Sequence, residues 1–96
     1  MKLEVESIGN GNAAALLGQG IDAIRAGDAN FDLSAVRQVD SSAVALLLAW
    51  QREAQSRGTR LALSGLPPAV ASLAKLYGVD ELIPGLRQGS ESAPSR

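Results

Sequence analysis

The run "AVALLLAW", Ala43 to Trp50, sets eight apolar residues in an unbroken row between "VDSS" and the polar stretch "QREAQSRG". A helix that crosses a bilayer needs about 20 such residues, so this run must be covered by protein. Asp40 or one of the serines stands where a helix cap belongs, Arg52 and Arg57 fall towards the far end, and Gly58 is a stop. The spacing predicts a helix that is apolar at its start and amphipathic later. A helix lying across a β-sheet buries a wide stripe in that way.

Strand-like segments flank it. "KLEVES" alternates, with Leu3 and Val5 on one face and Lys2, Glu4 and Glu6 on the other, as a half-buried or edge strand does. "IGNGN" breaks it, and Asn12 is placed to cap a first helix in "AAALLGQGIDAIRAGD". There Leu17, Ile21 and Ile24 share a face, while Gly18 and Gly20 weaken the helix. A second strand is expected around Phe31 to Leu33, and a third in "TRLALSG", where Leu61 and Leu63 alternate with Ala62 and Ser64. After Pro67 and Pro68 comes a last helix in "AVASLAKLYG", with Val70, Leu73 and Leu76 or Tyr77 inward and Gly78 as its stop. "VDELIPGL" reads as a final docked strand or extended segment. From Gly85 the sequence is rich in Gly, Ser, Pro and charge, which predicts a disordered tail over 85–96 behind a folded domain over 1–84. Strands alternating with helices give an α/β fold with at least one parallel crossover, from Phe31 to Leu63 with the long helix between.

Composition removes whole classes of function. The 96 residues make one small domain with little room for a deep cleft. A net charge of −1, with mixed signs along the chain, supplies no basic face for nucleic acid and no polybasic segment for lipid. The absence of cysteine and histidine excludes disulfides, thiolate or imidazole metal sites, cysteine nucleophiles and histidine bases. No catalytic residue, metal or cofactor is expected. The opening "MKLEVESIGN" lacks the apolar stretch of a signal peptide, and direct membrane insertion is not expected, which predicts a cytoplasmic protein.

Two motifs carry further information. Gly9, Gly11 and Ala14 fit a loose dinucleotide-binding pattern, with Asp32 further along. The strand before them alternates with charge, however, where such folds bury that strand on both faces, so they read as a turn. The second motif is "VDSSA", Val39 to Ala43. One cap explains one polar residue of the three; with Asp40 as the cap, Ser41 keeps a hydroxyl at the positive end of the helix, where a phosphate or a partner's acceptor fits. As a nucleophile Ser41 would need Lys75 or Lys2 beside it. Trp50 either covers the edge of the core or anchors a partner.

From "FDLS" through "VDSSA" and "SRGTRLALSGL" to "LAKLYGV", the order and spacing resemble a STAS domain, a small mixed sheet of about four strands with helices packed against it. The resemblance is greatest to MlaB-type subunits of the ABC transporter that moves phospholipid between the two membranes of Gram-negative bacteria. It implies a non-catalytic accessory subunit, peripheral to the inner membrane, which binds the transporter's ATPase subunit and through it the permease. The position of Ser41, with Asp40, Ser42 and Ala43 as neighbours, is where such subunits meet the ATPase. In the related anti-sigma-factor antagonists the first hydroxyl after the Asp, here Ser41, is phosphorylated by a partner kinase to switch binding off. Those antagonists have Gly where this chain has Ala43, whose methyl is expected to hinder close approach of a kinase and so favours the transporter reading. A free edge strand also leaves homodimer formation open.

Overall fold

The computed structural model describes residues 1–79. Alternation along the first residues becomes alternation of burial: Leu3 is buried and Val5 half-buried, while Lys2, Glu4 and Glu6 face solvent. The regular ladder in this segment is shorter than the pattern and ends later, at β1, Ser7–Ile8, with Ile8 buried. Then follow α1 (Ala13–Arg25), β2 (Asn30–Asp32), β3 (Gln38–Val39), α2 (Ser41–Ser56), β4 (Ala62–Ser64) and α3 (Pro68–Leu76).

The described ladders are parallel. β2 pairs with β4 and sets Phe31 opposite Leu63, the crossover that the sequence predicts, with α2 between the two strands. β1 pairs with β3, matching Ser7 to Gln38 and Ile8 to Val39. Met1 to Leu3 run beside β2, where Leu3 N–H donates to the Asp32 carbonyl at 3.0 Å and Asp32 N–H donates to that of Met1 at 2.8 Å. One N-terminal segment thereby lies along β2 with its first residues and along β3 with its last.

The core sits between this sheet and the helices. Leu3, Phe31, Leu33, Leu61 and Leu63 from the strands and their ends meet Ala43, Leu46, Leu47, Trp50 and Ala54 of α2. Full burial of one large aliphatic or aromatic side chain contributes about 1.5–3 kcal/mol, so this cluster outweighs any single polar contact in the domain. Trp50 is 0 % exposed. Its ring meets Phe31 edge-on, with centroids 4.9 Å apart and planes at 89°, a favoured aromatic geometry. Its indole N–H reaches the Leu17 carbonyl of α1 at 3.3 Å. Of the two readings of Trp50 the structure selects the core.

The inward face of α1 differs from the expected one. Leu16, Gly20 and Ile24 are buried, whereas Leu17 and Ile21 are only partly so. The reason is Trp50: a Cβ on Gly20 would lie 2.1 Å from its Nε1 and 2.2 Å from its Cε2. The glycine that weakens α1 as a helix is also the place where α2 fits against it. Asn12 stands at the N-cap but makes no side-chain cap bond. Its Oδ1 instead accepts from Gly9 N–H at 3.0 Å and its Nδ2 donates to the Ser7 carbonyl at 2.8 Å, holding the strand-to-helix turn.

α3 corrects a second expectation. Val70 and Ala74 are buried and Leu73 partly so, but Leu76 is 76 % exposed and Tyr77 53 %. Leu76 lies about 240° around the helix from Val70 at 100° per residue, which turns it outward. Tyr77 follows the inward stripe but sits one residue past the end of the helix. Gly58 and Gly78 take the left-handed backbone that suits the stops expected of them. The predicted final segment in "VDELIPGL" falls, beyond Val79, outside the described residues, as does the predicted tail.

Candidate partner-binding site

Three consecutive polar residues open α2, and the structure gives each a different task. Asp40 is the cap: its backbone is extended, at φ −127° and ψ −168°, and its Oδ1 accepts from Ser42 N–H at 2.7 Å. That bond satisfies one of the amides that every helix start leaves unpaired. Asp40 is itself fixed by the sheet, since its own N–H donates to the Ile8 carbonyl at 3.2 Å. Its other carboxylate oxygen lies against Gly9, where an added Cβ would stand 3.0 Å away.

Ser42 is turned to a neighbour. Its hydroxyl donates to Asn10 Oδ1 at 2.7 Å, joining the Gly9–Asn12 turn to the start of α2 across 32 residues of sequence. Ser41 is exposed, and its hydroxyl has no hydrogen-bond partner among the described residues. Neither Lys2 nor Lys75 is hydrogen-bonded to it. Ala43, which the sequence places beside this surface, is instead 1 % exposed, and its methyl belongs to the core. Crowding of a kinase by that methyl is therefore no argument for or against phosphorylation of Ser41.

Two shallow apolar grooves flank the helix start. One, of about 300 Å³, is lined by Ser41, Val44, Ala45, Leu48, Tyr77 and Val79. The other, of about 280 Å³, runs between α1 and α2 past Ala13, Leu17, Ser42, Ala45 and Ala49. Small side chains on the crest of α2 let another surface approach its backbone closely. Reading the sequence missed Asn10, Ala45, Leu48 and Tyr77 as members of this region. The available signal was Ala45 and Ala49, four apart on one helical face, which the structure leaves exposed and half-buried respectively.

The ion pairs lie elsewhere. At the far end of α2, Glu53 accepts from Arg57 at 3.0 Å and from Arg25 of α1 at 3.2 Å. The Arg57 bond first, and then the Arg25 bond, hold its carboxyl below the ordinary glutamate value. In the loop after β2, the Ser34 amide bonded to Asp32 at 2.9 Å holds that carboxyl low as well. Among the described residues there is no cluster of three or more acidic side chains placed to hold a metal ion. No described helix is long and apolar enough to cross a membrane.

Fold and site together define a small α/β domain that presents the capped start of its crossover helix, with one hydroxyl uncommitted among the described residues. Residues 5–84 match the family described as Mlab, STAS domain, and the chain belongs to this STAS domain family. A search of curated proteins finds no significant match.

Proposed function

We propose that this chain is a non-catalytic accessory subunit that binds the ATPase subunit of an ABC transporter for phospholipid, through the start of α2 and the surface beside it. The observation that carries the reading is the exposed hydroxyl of Ser41, which bonds to no described residue while Asp40 caps the helix and Ser42 holds the adjacent turn. Family membership supports it, since STAS domains serve regulatory and accessory roles and the matched family carries the Mlab description. In this reading the subunit works at the cytoplasmic face of the membrane, carried there by its partners. It stabilises or tunes the ATPase and does no chemistry itself.

Co-purification with the ATPase subunit tests the reading. Ser41→Asp and Ser41→Phe are expected to reduce recovery of the complex at least tenfold without loss of folded protein; undiminished recovery removes Ser41 from the interface. The same exposed hydroxyl favours a second reading, an anti-sigma-factor antagonist switched by phosphorylation. Intact mass after incubation with a switch kinase and ATP separates the two. One phosphate per chain, absent from Ser41→Ala, supports the second reading, and an unchanged mass counts against it.

A further inference from the structure

The hydroxyl of Ser42 has no capping duty. The cap bond at this helix start uses the Ser42 amide and the Asp40 carboxylate, so the side chain is not needed to begin α2. It donates instead to Asn10 Oδ1 at 2.7 Å. Asn10 lies at the exposed tip of the turn between β1 and α1. The other described bonds of this turn stay at its base or within it: Asn12 to Ser7 and Gly9, and the Asn12 and Ala13 amides to the Gly9 carbonyl at 3.1 and 2.9 Å. Among the described residues, Ser42 to Asn10 is the bond that ties the tip of the turn to α2.

We infer that Ser42 is a positioning residue for the partner-binding surface, acting through Asn10 to hold the Gly9–Asn12 turn rigid beside Ser41. The inference rests on the proposed partner reading and extends it to a second segment of chain. A partner that docks on Ser41 must also pass the turn, and a turn already fixed loses less freedom on binding. Loss of the tie lets the tip move while the cap, the core and the sheet stay in place. The effect therefore falls on affinity and local dynamics and spares global stability.

The test uses the full chain, with amide hydrogen exchange of the free protein and its Kd for the purified ATPase subunit. Ser42→Ala is expected to speed exchange in the Gly9–Asn12 turn and to weaken binding about threefold to tenfold, the range that one modest hydrogen bond sustains. The melting temperature should stay close to that of the wild type. Ser42→Thr, which keeps the hydroxyl, should restore both exchange and affinity. Asn10→Ala should reproduce Ser42→Ala, and the double variant should be no weaker than either single one. Unchanged exchange in Ser42→Ala overturns the inference without reference to a partner. Wild-type binding that is weakened by Ser41→Asp but indifferent to Ser42→Ala overturns it alone. Failure of the ATPase to bind, or binding that ignores Ser41→Asp, overturns the partner reading and this inference together.

Discussion

The middle of α2 and its start are built from the same run of sequence and are used in opposite ways. Around Trp50 the helix is filled to contact, with the indole pressed on Phe31 and on the bare backbone of Gly20. Around Ser41 it is lined with small side chains, left open to solvent, and fixed by polar bonds to Ile8 and Asn10. Packing accounts for Trp50, Phe31 and Gly20 at the first place, with the buried Gln51 Oε1 left without a partner among the described residues, and the Ser41 hydroxyl at the second place bonds to no described residue. That difference separates what the chain needs in order to fold from what the proposed partner reading would use.

The sharpest way to break the contrast is to put a methyl group into the packed half. Gly20→Ala gains up to about 1 kcal/mol of helix propensity. It also drives a methyl into a fully buried ring, and overpacking of that kind costs roughly 1–3 kcal/mol or more. With three ring atoms inside 2.7 Å of the new carbon, overpacking wins and urea denaturation should show a net loss. Gly18→Ala, only two residues earlier and facing open space, should be stabilising by about 0.5–1 kcal/mol. Equal effects at both glycines would mean that α1 does not cross α2 at Trp50.

Next in size is the cap. Asp40→Ala should cost about 1 kcal/mol by the same measurement, and Asp40→Asn much less, because the amide oxygen still accepts from Ser42. A negligible cost for Asp40→Ala would show that the serines share the capping.

A smaller, pH-dependent effect is expected at the end of α2 opposite the site. Glu53 has its carboxyl value lowered by Arg57 and Arg25, so its contribution is present above the ordinary glutamate range and disappears as pH falls through the lowered folded value. Melting temperatures of wild type and Glu53→Gln should therefore differ at neutral pH and converge in acid. Salt should narrow the gap, since the arginines are exposed. A gap that widens in acid would contradict the geometry.

The smallest effect belongs to Ser41 itself. Ser41→Ala should change stability by less than about 0.5 kcal/mol, as substitutions at uncommitted surface positions do. A clear loss would turn the hydroxyl into a folding element and remove the distinction on which the site rests.

Much of this was legible in the residues. The eight apolar side chains announced α2, the run from Asp40 to Ser42 announced a cap that the structure assigns to Asp40, and the alternation at Leu61 and Leu63 announced the strand that pairs with Phe31. What escaped has physical reasons. β3 is two residues long, too short to show a period, and it exists because the Ser7–Ile8 backbone is there to pair with. The face of α1 was set one residue away because Gly20 carries no hydrophobic signal, yet it is the residue that Trp50 needs. Tyr77 continues the inward stripe of α3 but lies past its end, and a helical period takes no account of where a helix stops. Asn10 was invisible because its partner is 32 positions distant.

That separation bears on when the surface comes into being. Asp40 is bound to Ile8 and Ser42 to Asn10, contacts that span a whole helix and two strands of intervening chain. Contacts between distant positions form late, because the entropy of closing a long loop is lost before they return anything. A half-folded chain can therefore carry α2 before the Gly9–Asn12 turn is tied to its start. Completion of the β1–β3 ladder is what sets the Gly9–Asn12 turn beside the start of α2.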